Sequence, residues 1–90
     1  MHDIKTFINT PLNELKKMSI GEKVELLTYK KDRKIVITKQ DQGTFHVVED
    51  GFEHKEFKNI EAAKLEHLLK QLKSVEFPKN RKYYMVKHML

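Results

Sequence analysis

The chain has no cysteine, no tryptophan, only two prolines and three glycines, and no apolar run that approaches the roughly 18 residues a membrane span requires. Without cysteine there is no disulfide framework, no thiolate nucleophile and no cysteine-ligated zinc. Gly21, Gly43 and Gly51 lie far apart and each accounts for a turn, so a phosphate-cradling glycine loop is excluded. The opening residues, MHDIKTFINTPLNELKK, do not follow the charged, apolar, small order of a secretory signal, and the expectation is a soluble, cytoplasmic protein.

What is present suits one domain, residues 1–90. A folded chain of 90 residues has a radius of gyration of roughly 12 Å and buries about 60 to 70% of its unfolded surface. At 39% hydrophobic and 34% charged the sequence is polar, yet its Ile, Leu, Val and Phe recur at regular spacing, which argues against disorder.

Ile4, Phe7, Ile8, Leu12 and Leu15 recur at helical spacing around Asn9-Thr10-Pro11. Proline at the first helical position behind a threonine cap predicts a short helix from Pro11 to about Met18, capped by Thr10. From Lys23 the period becomes two: KVELLTY, KIVITKQ, TFHVVE and FEHKEF read as strands, with turns at Lys30 to Arg33, Asp41 to Gly43 and Asp50-Gly51. The Asp-Gly pair predicts a tight hairpin with positive φ angles, and short turns predict an antiparallel meander. After Asn59, Ala62, Leu65, Leu68, Leu69 and Leu72 form one apolar stripe of an amphipathic helix about fifteen residues long, ended by Phe77-Pro78.

The strand residues divide into two faces. Val24, Leu26, Ile35, Ile37, Phe45 and Val47 alternate onto one, and Leu27, Tyr29, Val36, Val48 and Phe57 onto the other. Both faces carry apolar residues, so both are expected to be covered in part: one by the long helix, the other by the N-terminal helix, the tail or a partner.

Charge is unevenly placed. Met1 to Gln40 carries nine cations and five carboxylates, Asp41 to Glu61 two and six, and Ala62 to Leu90 seven and two, giving +4, −4 and +5. Lys30, Lys31, Arg33 and Lys34 sit at a hairpin turn, and Lys79, Arg81 and Lys82 follow the long helix beside Tyr83 and Tyr84. Lysine and arginine displace counterions from phosphates and tyrosine stacks on bases, so these nine residues are the candidate nucleic-acid contacts. The bland alternatives are a solvated lysine turn that blocks edge pairing and, for Lys79 to Leu90, a flexible tail, a fifth strand or a lid over the second sheet face. The acidic middle could pair with the basic flanks of another copy, which keeps self-association open.

Catalytic and metal chemistry find little support. His46 and His54 flank the Asp50-Gly51 turn at an even spacing that could place them on one face, but zinc usually needs three or four ligands. Glu49, Asp50, Glu53 and Glu56 cluster at the same hairpin and are expected to face solvent beside Lys55 and Lys58. No serine, histidine and aspartate set has a nucleophile-elbow context. An enzyme is the least supported class, and no cofactor, metal or membrane partner is expected.

The order of helix, three or four strands, helix resembles that of double-stranded-RNA-binding domains, although the entry to the last helix reads FKNIEAAKLEHLL and lacks their basic, glycine-containing sequence. GTFHVVEDGFEHKEFKNIEAAK, Gly43 to Lys64, is similar in layout to the arm-binding domains of phage-type integrases, whose sheet contacts DNA; the same hairpin here is acidic. These are likenesses of layout, and no family is assigned on them.

The expected fold is therefore a small α+β domain: an N-terminal helix, a three- to four-stranded antiparallel meander, a long C-terminal amphipathic helix, and a basic aromatic tail able to add a strand. The expected function is a non-enzymatic binding module for nucleic acid, the alternative being a protein-interaction or regulatory domain, homodimeric in one version.

Overall fold

Alternating apolar residues define four central strands in the computed structural model, which describes residues 1–90: β2 (Lys23–Leu27), β3 (Lys34–Lys39), β4 (Thr44–Asp50) and β5 (His54–Glu61). Two more come from the ends of the chain, β1 (His2–Asp3) and β6 (Lys82–His88). All pairings are antiparallel, in the order β1-β6-β2-β3-β4-β5. The meander β2 to β5 is as expected. The tail adds a fifth strand, pairing with β2 from Leu27↔Tyr84 to Lys23↔His88, and the N-terminal residues add a sixth that was not expected, β1, on the other edge of β6.

Helices α1 (Asn9–Lys16) and α2 (Ala62–Glu76) complete the mixed domain. Leu15 of α1 and Leu65, Leu69 and Leu72 of α2 share a core with Val24, Leu26, Ile35, Ile37, Phe45, Val47 and Tyr83. These strand residues occupy one face, so both helices cover the same side. The expectation that the N-terminal helix or the tail would cover the second face is corrected: that face is open, its half-buried Leu27, Val36 and Val48 lying among Glu25, Lys34 and His46. Phe57 also changes sides and packs against the core, because a bulge between Phe45 and Val47 shifts the register of β5.

Two local expectations differ as well. Helix α1 begins at Asn9 behind Ile8, and Thr10 makes no capping bond. A 3-10 turn, Ile4–Thr6, precedes it and is capped instead by Asp3, whose side chain accepts from the Lys5 N–H at 2.8 Å. The domain is small and dense, with a radius of gyration of 11.9 Å, and has no helix long and apolar enough to cross a membrane.

Candidate nucleic-acid interface

The turn between β2 and β3 is built on Thr28, which is buried. Its N–H donates to the Arg33 carbonyl at 3.0 Å, its hydroxyl donates to Asp32 Oδ1 at 2.7 Å, and its carbonyl accepts from the Lys31 N–H at 2.9 Å. Lys31 takes a φ of 60°, a left-handed conformation that costs a lysine roughly 1 to 2 kcal/mol and turns Lys30 and Lys31 outward. The hydroxyl bond, with Lys30 and Arg33 nearby, holds the Asp32 carboxyl below its ordinary range, so it stays ionised among these cations.

The turn between α2 and β6 arrives beside it. Pro78 stops the helix, and the Asn80 N–H closes back on the Phe77 carbonyl at 3.3 Å. Asn80 Oδ1 then accepts from the Tyr29 N–H at 3.1 Å, joining residues 51 apart in sequence. Two grooves meet at this bond. One, of about 320 Å³, is lined by Tyr29, Lys79, Asn80, Arg81 and Lys82. The other, of about 260 Å³, is lined by Thr28, Tyr29, Lys30, Asp32, Arg33, Lys79 and Asn80. The two basic segments therefore form one surface.

The nine predicted contacts separate on inspection. Lys30, Lys31, Lys79, Arg81 and Lys82 are exposed and make no ion pair. Tyr84 is half-buried, with the Lys31 ammonium 4.6 Å from its ring centroid. Lys34 faces the open side of the sheet, 3.4 Å from Glu25, away from the turn. Tyr83 must be withdrawn as a stacking residue: it is completely buried, edge-on to Phe7 at 5.1 Å, with its hydroxyl 2.9 Å from Thr6 Oγ1. Alternation along β6 explains the difference between the two tyrosines.

Arg33 is committed to the fold. Its Nε donates to the Glu76 carbonyl in the last turn of α2 at 2.9 Å and lies 3.7 Å from the Glu76 carboxylate, while its guanidinium carbon sits 4.2 Å from the Phe52 ring centroid. A buried carboxylate at a helix C-terminus is opposed by the helix dipole, so Glu76 needs these donors. It also accepts from the N–H groups of Phe52 at 2.8 Å and Glu53 at 3.2 Å. Burial alone would raise its pKa, but the neighbouring Glu49 carboxyl, those two N–H bonds and Arg33 outweigh it, hold the pKa below the ordinary range and leave Glu76 ionised.

Glu49 corrects the expectation of a solvent-facing acidic hairpin. It points inward from β4, is buried, and has no donor for either carboxylate oxygen. Burial and the neighbouring Glu76 carboxylate push its pKa up to about 7, so the neutral, protonated form of Glu49 is favoured beside the ionised Glu76. Gly51 completes this cluster. Its φ is not positive, contrary to the expected turn; a Cβ there would lie 2.7 Å from Glu76 Cδ and 3.0 Å from Arg33 Cβ, so only glycine leaves room for the carboxylate.

Sequence reasoning missed Tyr29, which is 60% exposed, lines both grooves, and stands 6.4 Å from the Tyr84 ring at an interplanar angle of 26°. Its position at the end of a strand that alternates inward and outward was the available signal. The remaining titratable groups do not converge: His46 pairs with Glu56 at 2.8 Å, His54 lies 3.5 Å from Asp50, and no group of three metal-ligating side chains exists. Comparison of the chain with protein-family models, with curated proteins and with solved structures gave no match, the two families of similar layout included.

Proposed function

We propose that the protein is a non-enzymatic nucleic-acid-binding module whose contact surface is formed by Lys30, Lys31, Lys79, Arg81 and Lys82 around Tyr29 and Tyr84. The observation that carries this reading is the Tyr29 to Asn80 bond, which fuses two basic segments into one patch of unpaired cations with an exposed ring at its centre. Among unpaired cations a phosphate backbone finds charge without having to displace an existing partner, and a ring provides a stacking partner for a base. Anisotropy of a labelled oligonucleotide titrated across salt concentrations tests it. Binding should weaken linearly on log axes, and each cation replaced by glutamine should reduce the slope by about 0.7 to 0.9. No binding at low ionic strength overturns the reading.

A second reading, a protein-interaction domain, is favoured by the open sheet face with Leu27, Val36 and Val48 at its centre. Light scattering at high concentration tests its self-associating form: a dimer supports it, and a monomer removes it.

A further inference from the structure

Resting on the nucleic-acid reading, we infer that the ligand is single-stranded and that Tyr29 is the platform on which one unpaired base stacks, with the phosphates on either side of that base held in the two flanking grooves. The placement of Tyr29 carries this. It is the residue common to both grooves that presents an aromatic ring, and its backbone is fixed by the bond to Asn80, so its Cα has a defined position while the ring stands out of the surface.

The cations divide across that ring. Lys30 lines one groove, Arg81 and Lys82 line the other, and Lys79 lines both. A nucleotide chain has this pattern, with a charge on each side of every base. In a duplex the base faces are covered by their neighbours and unavailable to a side chain without disruption of the stack, whereas an isolated strand offers them. Asp32, exposed and ionised beside Lys30, is the one carboxylate lining these grooves, so a phosphate is drawn to the cations away from it.

The test uses the full chain, a fluorescein-labelled mixed-sequence 12-mer, and the same 12-mer annealed to its complement, at about 100 mM salt. The single strand should bind at least tenfold more tightly than the duplex. Tyr29→Ala should weaken the single strand on the order of tenfold, in the range base stacking supplies, while leaving the salt slope unchanged because no charge is removed. Tyr29→Phe should restore the binding, and circular dichroism should show both variants folded, as expected for an exposed side chain. Equal affinity for the two forms, with Lys79→Gln still reducing the slope, overturns the inference and leaves the functional reading standing. An unaffected Tyr29→Ala variant overturns it in the same way. If neither form binds, the functional reading itself falls.

Discussion

Two regions of this domain are rich in charge and treat it in opposite ways. On the open face of the sheet carboxylates answer the basic side chains: Glu25 lies 3.4 Å from Lys34 and 2.8 Å from the His88 ring, Glu56 lies 2.8 Å from the His46 ring, and Glu53 lies 3.4 Å from Lys55 at the edge. At the end of the sheet, where the β2–β3 and α2–β6 turns meet, five cations stand without an ion pair; Asp32, beside Lys30, is bonded to Thr28, and Glu76 is turned inward to Arg33 and to backbone donors. Charge counted along the chain does not separate these regions, since Lys34 belongs to the same basic run as Lys30. Topology separates them: alternation sends Lys34 to the face where β2 supplies Glu25, while the turn projects Lys30 and Lys31 beyond the last strand pair.

The adjacent tyrosines give the largest contrast. Tyr83→Ala removes a ring packed against Phe7 in the core and should cost about 3 to 5 kcal/mol of stability, and deletion of Lys79 to Leu90 should abolish the cooperative unfolding transition; Tyr84→Ala should stay within about 1 kcal/mol. Urea titrations of the three proteins check this. A truncated chain that melts like the full one would break the placement of β6.

The buried carboxylate pair on the inner side of the basic end predicts a pH dependence between pH 4.5 and 7. Glu49 has a folded pKa raised from 4.5 to about 7, so its contribution to stability is fully present below pH 4.5 and is lost as pH rises toward 7. Glu76 is depressed, so its contribution is present above 4.5 and is lost as pH falls below that value. Together they place the maximum of the pair's own contribution near pH 4.5, with a decline of about 1 to 3 kcal/mol by pH 7. In Glu49→Gln that decline should vanish, as read from urea midpoints across the pH range. A wild type whose stability stays flat from pH 5 to 7.5 would show Glu49 solvated instead.

Smaller effects sharpen the contrast in charge. Lys31→Gly relieves a left-handed lysine and should leave stability unchanged or up to about 1 kcal/mol higher while weakening oligonucleotide binding. Lys34→Gln should change stability by less than about 1 kcal/mol, as a pair open to solvent on one side does, and should leave the salt slope of binding where it was.

Much of this was legible beforehand for simple reasons. The stripe of Leu65, Leu69 and Leu72 and the alternation of Val24, Leu26, Ile35, Ile37 and Val47 depend on nearest neighbours along the chain, and they face the core as read. What sequence could not show depends on pairings between distant segments. Tyr83 and Tyr84 exchange significance according to the register of β6 on β2, Phe57 according to a bulge, and Glu49 according to where the last turn of α2 docks. The two basic segments were visible, but their union through Tyr29 and Asn80 was not, because the residues joined lie 51 apart in sequence.

Backbone amide shifts recorded while a single-stranded oligonucleotide is added test that union most directly. Residues Tyr29 to Asp32 and Lys79 to Lys82 should shift together along one saturation curve, while His46, Glu56 and the rest of the open sheet face stay in place. Shifts in only one of the two turns, or centred on Val36 and Val48, would contradict a single basic surface at the end of the sheet.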